Sequence, residues 1–336
     1  MRKTIALVTG GFTGEAIISL QSANVIEKNL DTDKFEVYKI IIDRSSWYYE
    51  DMNGLKNEID RNHFTLNLKG ATIRFDVVFI ALHGSPGEDG KLQGYFDMLH
   101  IPYTTCSAMT SAITMNKGYT KAIVSDIPNL HVARSQQLFR LTHPTSEEEI
   151  SSYLDSIYND LALPYFVKPN NGGSSIGMSK VKTMNELPSA LVKAFREDAQ
   201  VLVEEFIQGR EFTIGVYKSK DGIKTLPSTE IVTTKEFFDF EAKYTPGITN
   251  EITPGRMNTE EQSRVEQIAI AIYKKLDCAG VVRIDFILKE KSNDFYFIEI
   301  NTVPGQTENS LIPQEVKAAG MTMRAFYTEL VEAALS

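Results

Sequence analysis

The chain has 336 residues, 42% of them hydrophobic and 24% charged, with a formal net charge of −9. That length can bury a large core and divide into two or three domains. The acidic balance excludes a nucleic-acid binder, which needs Lys and Arg to neutralise phosphates, and no apolar run approaches the roughly 18 residues needed to span a bilayer. Two cysteines, Cys106 and Cys278, lack metal-ligand spacing and fit a reducing compartment. The expectation is a cytoplasmic protein with neither a nucleic acid nor a membrane as partner.

The opening MRKTIALVTGG is apolar only as far as Thr9-Gly10-Gly11, which reads as a first strand and not a signal peptide. A helical pattern follows over 15–29, then the strand-like runs EVYKIIID (36–43) and DVVFIAL (76–82). Near-continuous Val/Ile runs joined by helices predict a parallel, Rossmann-like sheet covered on both faces, with ligands at the carboxyl ends of its strands. Two loops leave there, GGFTGE (10–15) and HGSPGEDGKLQG (83–94). The first misses the G-x-G-x-x-G dinucleotide spacing and carries Glu15 at the helix entrance, where an acid suits the helix dipole but repels a pyrophosphate. Glu15 reads equally as a helix cap and as a carboxylate awaiting a substrate amine.

From about residue 117 the pattern changes to α+β. The segment VKPNNGGSSIGMSKV (167–181) is rich in glycine and serine, but Met178 and Ser179 stand where a Walker loop has its lysine and hydroxyl. Its cation, Lys168, precedes the glycines at the end of one hairpin arm. A helix (185–198) and the strands VLVEEFIQG and REFTIGVYK follow. The stretch 233–257 has no clear period. Its length indicates a lid or disorder, and Phe237, Phe238, Phe240 and Tyr244 argue against disorder. Residues 260–277 repeat apolar positions at helical spacing.

The segment GVVRIDFILKEKSNDFYFIEINTVPGQTENSL (280–311) carries the most chemistry. Two β-rich runs flank the polar turn KEKSND, predicting a hairpin centred near Ser292. That register sets Asp285 opposite Glu299 and Arg283 opposite Asn301, all on one face. Val282, Ile284, Phe286, Leu288, Tyr296, Ile298 and Ile300 would then form an apolar face on the core. Two carboxylates and an amide are the oxygen donors Mg²⁺ takes, usually together with substrate phosphates. No His/Cys cluster suits zinc. Arg283 could neutralise charge developing on a transferred phosphate or tetrahedral intermediate, with the Gly305 amide beside it. Ser310 and Leu311 precede a helix, whose free N–H groups suit a carboxylate; a plain Ser310 helix cap is the alternative.

Seven motifs in order carry a family resemblance: GGFTGEAIISLQSA, HGSPGEDGKLQGYFDMLHIPYT, KPNNGGSSIGMSKV, VEEFIQGREFT, DFEAKY, RIDF and EINTVPGQTENSLIP. The chain resembles the D-alanine–D-alanine ligase family of the ATP-grasp superfamily almost end to end. The resemblance implies an N-terminal unit (1–116), then central (117–210) and C-terminal (211–336) α+β units that sandwich ATP. The glycine-serine segment would be a hairpin lid over the triphosphate. Lys117, Lys168, Ser175 and Lys243 would contact phosphates, Glu204, Glu205, Phe206 and Ile207 the adenine and its hinge, and Glu211 the ribose. Asp285, Glu299 and Asn301 would hold two Mg²⁺ ions, with Mn²⁺ as a substitute. Arg283 and Gly305 would form the oxyanion site.

Glu15, with His83 near it, would hold the ammonium of a first D-alanine, and Ser310 and Leu311 the carboxylate of a second. Glu15, Ser174 and Tyr244 would form a triad closing the long loop, which protects an acyl-phosphate from water. The implied reaction makes D-alanyl-D-alanine for peptidoglycan, and the implied assembly is a homodimer. Gly172, Asn116 and Thr13 depart from the commoner family residues. The AKYT sequence favours D-alanine over a hydroxy acid as second substrate. D-lactate or D-serine ligation remains an alternative, as does a regulatory nucleotide-binding protein that has lost catalysis, although the metal ligands and Arg283 are intact. A nicotinamide oxidoreductase fails on the missing fingerprint.

Overall fold

The computed structural model describes residues 2–143, 145–173, 176–233 and 249–336. Four of the expected site residues, Ser174, Ser175, Lys243 and Tyr244, lie outside the described residues.

The three N-terminal apolar runs form the strands Lys3–Gly10, Phe35–Ile42 and Val77–Ile80. The first lies between the other two and is parallel to both. The connecting helix Ala16–Asn29 turns Ser19, Ser22, Ala23 and Ile26 inward, mostly small side chains that let it sit close to the sheet. Four antiparallel strands, Trp47–Glu50, Lys56–Asp60, Thr65–Leu68 and Ala71–Arg74, extend this parallel core on the side of Phe35–Ile42. Each is four or five residues long, too short for alternation to stand out in the sequence. Edge-on aromatic contacts of Phe64 with Trp47, Tyr95 and Phe96 fill the core beneath them.

The glycine-serine segment belongs to a four-stranded antiparallel sheet. Strand Tyr165–Pro169 pairs with Ser179–Val181 on one side and Gln200–Glu205 on the other, so Lys168 does end a hairpin arm. Helices Glu147–Asp160 and Leu187–Glu197 cover one face, burying Ile150, Ile157, Leu191 and Phe195 against Val167 and Val203.

The third sheet is centred on Gly209–Ser219 and Val281–Lys289, with Phe295–Asn301 beyond. Its inner face packs on helix Thr259–Lys275, whose Val265, Ile268, Ala269 and Ile272 are buried. Both free cysteines lie buried in this same core. The last helix, Met323–Ala334, returns to the N-terminal sheet and shares a core with Ile5, Leu7 and Phe79 through Phe326, Tyr327 and Leu330. The first and last thirds of the chain are therefore packed together.

The decisive hairpin has the expected pairs, Arg283 with Asn301 and Asp285 with Glu299. Nearer the turn the register shifts, so that Phe286 faces Phe297 and not Ile298. This β-bulge adds one residue to the second strand and reverses the faces of those that precede it. Phe295 and Phe297 enter the core, while Tyr296 and Ile298 line the cavity on the opposite side. The expectation that Tyr296 and Ile298 pack on the core is thereby corrected, and Ile300 stays on the core face. Accordingly, Phe297→Ala should lower stability by about 3–5 kcal/mol in urea denaturation, the range for a large core truncation, whereas Tyr296→Ala should cost far less.

Candidate active site

The second and third sheets, together with Glu15, helix Ala16–Asn29 and the loop carrying His83 and Glu88, line one cavity of about 940 Å³. At the nucleotide end, Lys168 is almost fully buried and its Nζ lies 2.5 Å from Glu204 Oε1. Lys121 donates to the other carboxylate oxygen, also at 2.5 Å. Burial alone would raise the Glu204 pKa, but the two ammonium groups hold it down to about 2. Burial pulls the Lys121 ammonium below its usual range, against the attraction of Glu204. Two lysines thus converge on one buried carboxylate, and Lys168 and Glu204 line the cavity.

Lys117 opens helix Lys117–Val124, and Asn116 caps it by accepting from the Tyr119 N–H. Asn and Asp are equally good caps, so Asn116 performs the capping task and also donates to Gln200. Lys117 Nζ donates to the Gly172 carbonyl at 2.7 Å and sits 3.4 Å from Glu299 Oε2. Gly172 has φ of +111°, a conformation open to glycine and strained for a residue with a Cβ. Glu205, Phe206, Ile207 and Glu211 follow along the same wall. The Glu205 carboxylate turns away to accept from the Ala162 N–H, and Lys180 lies over the Phe206 ring.

On the hairpin face, Arg283 grips Asp285 with two parallel bonds of 2.9 and 2.8 Å. Thr213, directly opposite on the neighbouring strand, donates to Asp285 Oδ1 at 2.6 Å. Burial disfavours the guanidinium charge, yet Asp285 outweighs it and raises the Arg283 pKa. Asn301 Oδ1 accepts from the Val303 N–H. Among the described residues no group of three or more His, Cys, Asp or Glu side chains converges as a ready metal cage. The donors here are two carboxylates and an amide, a hard all-oxygen set that fits a cation whose remaining ligands come from phosphates.

At the amino-acid end, Glu15 stands at the start of helix Ala16–Asn29, makes no side-chain cap bond there and lines the cavity. Gly84 lies beside the Glu15 carboxylate and has φ of +67°, a conformation that favours glycine. His83 is buried, with Nδ1 2.7 Å from the Val303 carbonyl and Nε2 3.1 Å from Ser22 Oγ. The carbonyl can only accept, so Nδ1 carries the proton and Nε2 accepts from the hydroxyl. Burial lowers the His83 pKa against the pull of Glu15. His83 is thus a neutral strut that ties its loop to Val303 and Ser22.

Ser310 stands at the start of helix Leu311–Ala318 but makes no side-chain cap bond. Its Oγ accepts from the Thr307 N–H and meets Thr307 Oγ1 at 2.7 Å. A Cβ at Gly305 would lie 2.8 Å from Ser310 Oγ, so any larger residue would displace the serine.

Several site groups carried no sequence prediction. Lys121 lies one helical turn after Lys117, a spacing that places both on one face and could have flagged it. Glu230 accepts from both Arg210 and Arg256; its partners are remote in sequence and left no signal. Glu88 lay within a quoted motif, but its role depends on burial. Its Oε2 accepts from the Gly84 N–H at 2.7 Å, and burial together with the nearby Glu15 pushes its pKa up to about 8.

Residues 4–106 match the N-terminal family described as D-ala D-ala ligase N-terminus, and residues 131–332 match D-ala D-ala ligase C-terminus. The chain belongs to the D-alanine–D-alanine ligase family. A relative named D-alanine–D-alanine ligase, from Bacteroides thetaiotaomicron, is 43% identical and is covered over 99% of both chains. Among solved structures, the VanG D-Ala:D-Ser ligase from Enterococcus faecalis superposes with a TM-score of 0.87 at 32% identity, covering 99% of this chain and 100% of that one. The Bacillus anthracis D-alanine–D-alanine ligase complexed with ATP gives 0.76 at 28% identity, with 99% and 97% covered. The ATP-grasp fold expected from the sequence is that of these ligases.

The raised Glu88 pKa has a signed consequence. The folded state holds this proton up to about pH 8, whereas the unfolded chain releases it near pH 4.3, so ionisation penalises folding progressively between the two. The melting temperature of Glu88→Gln relative to wild type should therefore rise from pH 4 to about 8 and then level off. A difference independent of pH would show that Glu88 is ionised in the fold.

Proposed function

We propose that this chain joins two D-alanines into D-alanyl-D-alanine at the expense of ATP, releasing ADP and phosphate, and so supplies a peptidoglycan precursor. The observation that carries the reading is the hairpin face, where Arg283, Asp285, Glu299 and Asn301 line the same cavity as Glu15 and Ser310. The protein is read as three units, 1–116, 117–210 and 211–336, acting as a homodimer.

In this reading Lys168 and Lys117 exchange their present partners, Glu204 and the Gly172 carbonyl, for ATP phosphates. Glu204 keeps Lys121 and stays neutralised. The Glu205–Ile207 segment takes the adenine and Glu211 the ribose. Asp285, Glu299 and Asn301 would hold two Mg²⁺ ions, or Mn²⁺ in their place, which neutralise phosphate charge and orient the γ-phosphate. Lys243 and Ser175 belong with the phosphate contacts, and Ser174 and Tyr244 with Glu15 in closing the cavity.

Glu15 orients the first D-alanine by its ammonium, and His83 holds the adjoining loop in place. The carboxylate of that D-alanine attacks the γ-phosphate, giving an acyl-phosphate and ADP. The second D-alanine is held by its carboxylate at the uncapped start of helix Leu311–Ala318, against Ser310 and Leu311, where the helix dipole favours an anion. Its amine, once deprotonated, attacks the acyl carbon. Arg283 and the Gly305 N–H stabilise the resulting oxyanion, and phosphate leaves.

The test is phosphate release from ATP and Mg²⁺ with D-alanine, L-alanine or neither, the product being identified by mass spectrometry. Release with D-alanine alone, matched by the dipeptide, is expected. Nucleotide binding without release would favour the regulatory alternative. Separately, Glu299→Gln should fold normally and lose at least about 10³-fold in kcat, in line with removal of a group that stabilises transition-state charge; turnover near the wild-type rate would remove Glu299 from the metal site. Sedimentation velocity tests the dimer.

A further inference from the structure

The cavity wall nearest the proposed second D-alanine carries an acid with no assigned role. Glu251 lies on strand Thr249–Ile252, directly opposite Ile231, and lines the cavity with Thr307, Asn309 and Ser310. Its Oε2 lies 2.5 Å from Gln314 Nε2. The same Gln314 nitrogen donates to the Asn309 carbonyl at 2.9 Å, and the Gln314 N–H reaches back to the Ser310 carbonyl. One amide side chain thus ties Glu251 to the turn that presents Ser310. No Lys or Arg forms an ion pair with Glu251 among the described residues, so its charge is set beside the second-substrate end of the cavity with only a neutral partner.

We propose that Glu251 is a specificity-determining residue that selects a second substrate bearing an ammonium over the hydroxy acid of the same size. The inference rests on the ligase reading. Near neutral pH a free amino acid arrives at this subsite as an ammonium carboxylate. The helix start takes the carboxylate end, and the side facing Glu251 receives the other end. A fixed carboxylate attracts an ammonium there and gains nothing from the neutral hydroxyl of D-lactate. Gln314 holds the acid at a fixed distance from the carboxylate anchor, so both ends of the zwitterion are read by one linked element. Binding the ammonium raises occupancy of the subsite; the proton must still leave before attack, so the contribution falls on KM and not on kcat.

The experiment compares wild type with Glu251→Gln, which keeps the size of the side chain and can still accept from Gln314. Phosphate release gives KM for the second D-alanine, the inhibition constant of D-lactate competing with it, and KM for ATP. The expected result is a rise of about three- to ten-fold in the second D-alanine KM, the span of a partly screened charge contact, with kcat, D-lactate inhibition and KM for ATP unchanged. Equal weakening of D-alanine and D-lactate would mean a purely structural role and overturn the proposal, as would no change in either. A wild type that makes no dipeptide overturns the ligase reading itself, and this inference with it.

Discussion

A carboxylate cannot be buried without a partner, because the desolvation cost exceeds anything the surrounding packing returns. This constraint organises the cavity. Glu204 is held by two lysines, Asp285 by Arg283 and Thr213, and Glu230 by two arginines. Glu88 meets the same requirement by keeping its proton. Glu315, outside the cavity and fully buried, is likewise pushed well above the usual carboxyl range by burial and accepts from the Gly215 N–H.

Each pairing also indicates what a substrate would have to provide. On the proposed function, a triphosphate drawing Lys168 away would leave Glu204 with Lys121, so that no buried charge is stranded. A divalent cation held by Asp285 and Glu299 would take over the neutralisation now supplied by Arg283 and Lys117. Arg283 would then be free to face a developing oxyanion. The ion pairs would thus serve as exchangeable stand-ins for ligands, a use for buried charge that stability alone does not justify.

Much of this was legible in the sequence. A turn centred near Ser292 led to the Asp285–Glu299 pairing, but the pairs beside the turn, such as Leu288 with Phe295, are offset by one residue, and only the extra residue at the bulge brings Asp285 opposite Glu299. The apolar runs around Leu7, Ile40 and Phe79 announced parallel strands because burial on both faces removes the polar alternation. The bulge at Ile298 was not legible, since an inserted residue leaves no mark in a run that is apolar on both sides. The antiparallel strands at 47–74 were hidden by their brevity. Lys121 and Glu230 were hidden because their partners lie 83 residues away, at Glu204, and 20 and 26 residues away, at Arg210 and Arg256. Asn116, which looked like a departure, became intelligible once the helix cap was visible.

On the proposed function, the hairpin face builds a cation site completed by nucleotide. Titrating Mn²⁺ into the protein in the presence of ADP, with free Mn²⁺ followed by electron paramagnetic resonance, tests this. Wild type should take up Mn²⁺ in a nucleotide-dependent way, and Glu299→Gln should lose that uptake while still binding ADP. Equal uptake by both proteins would mean that Glu299 does not hold the cation.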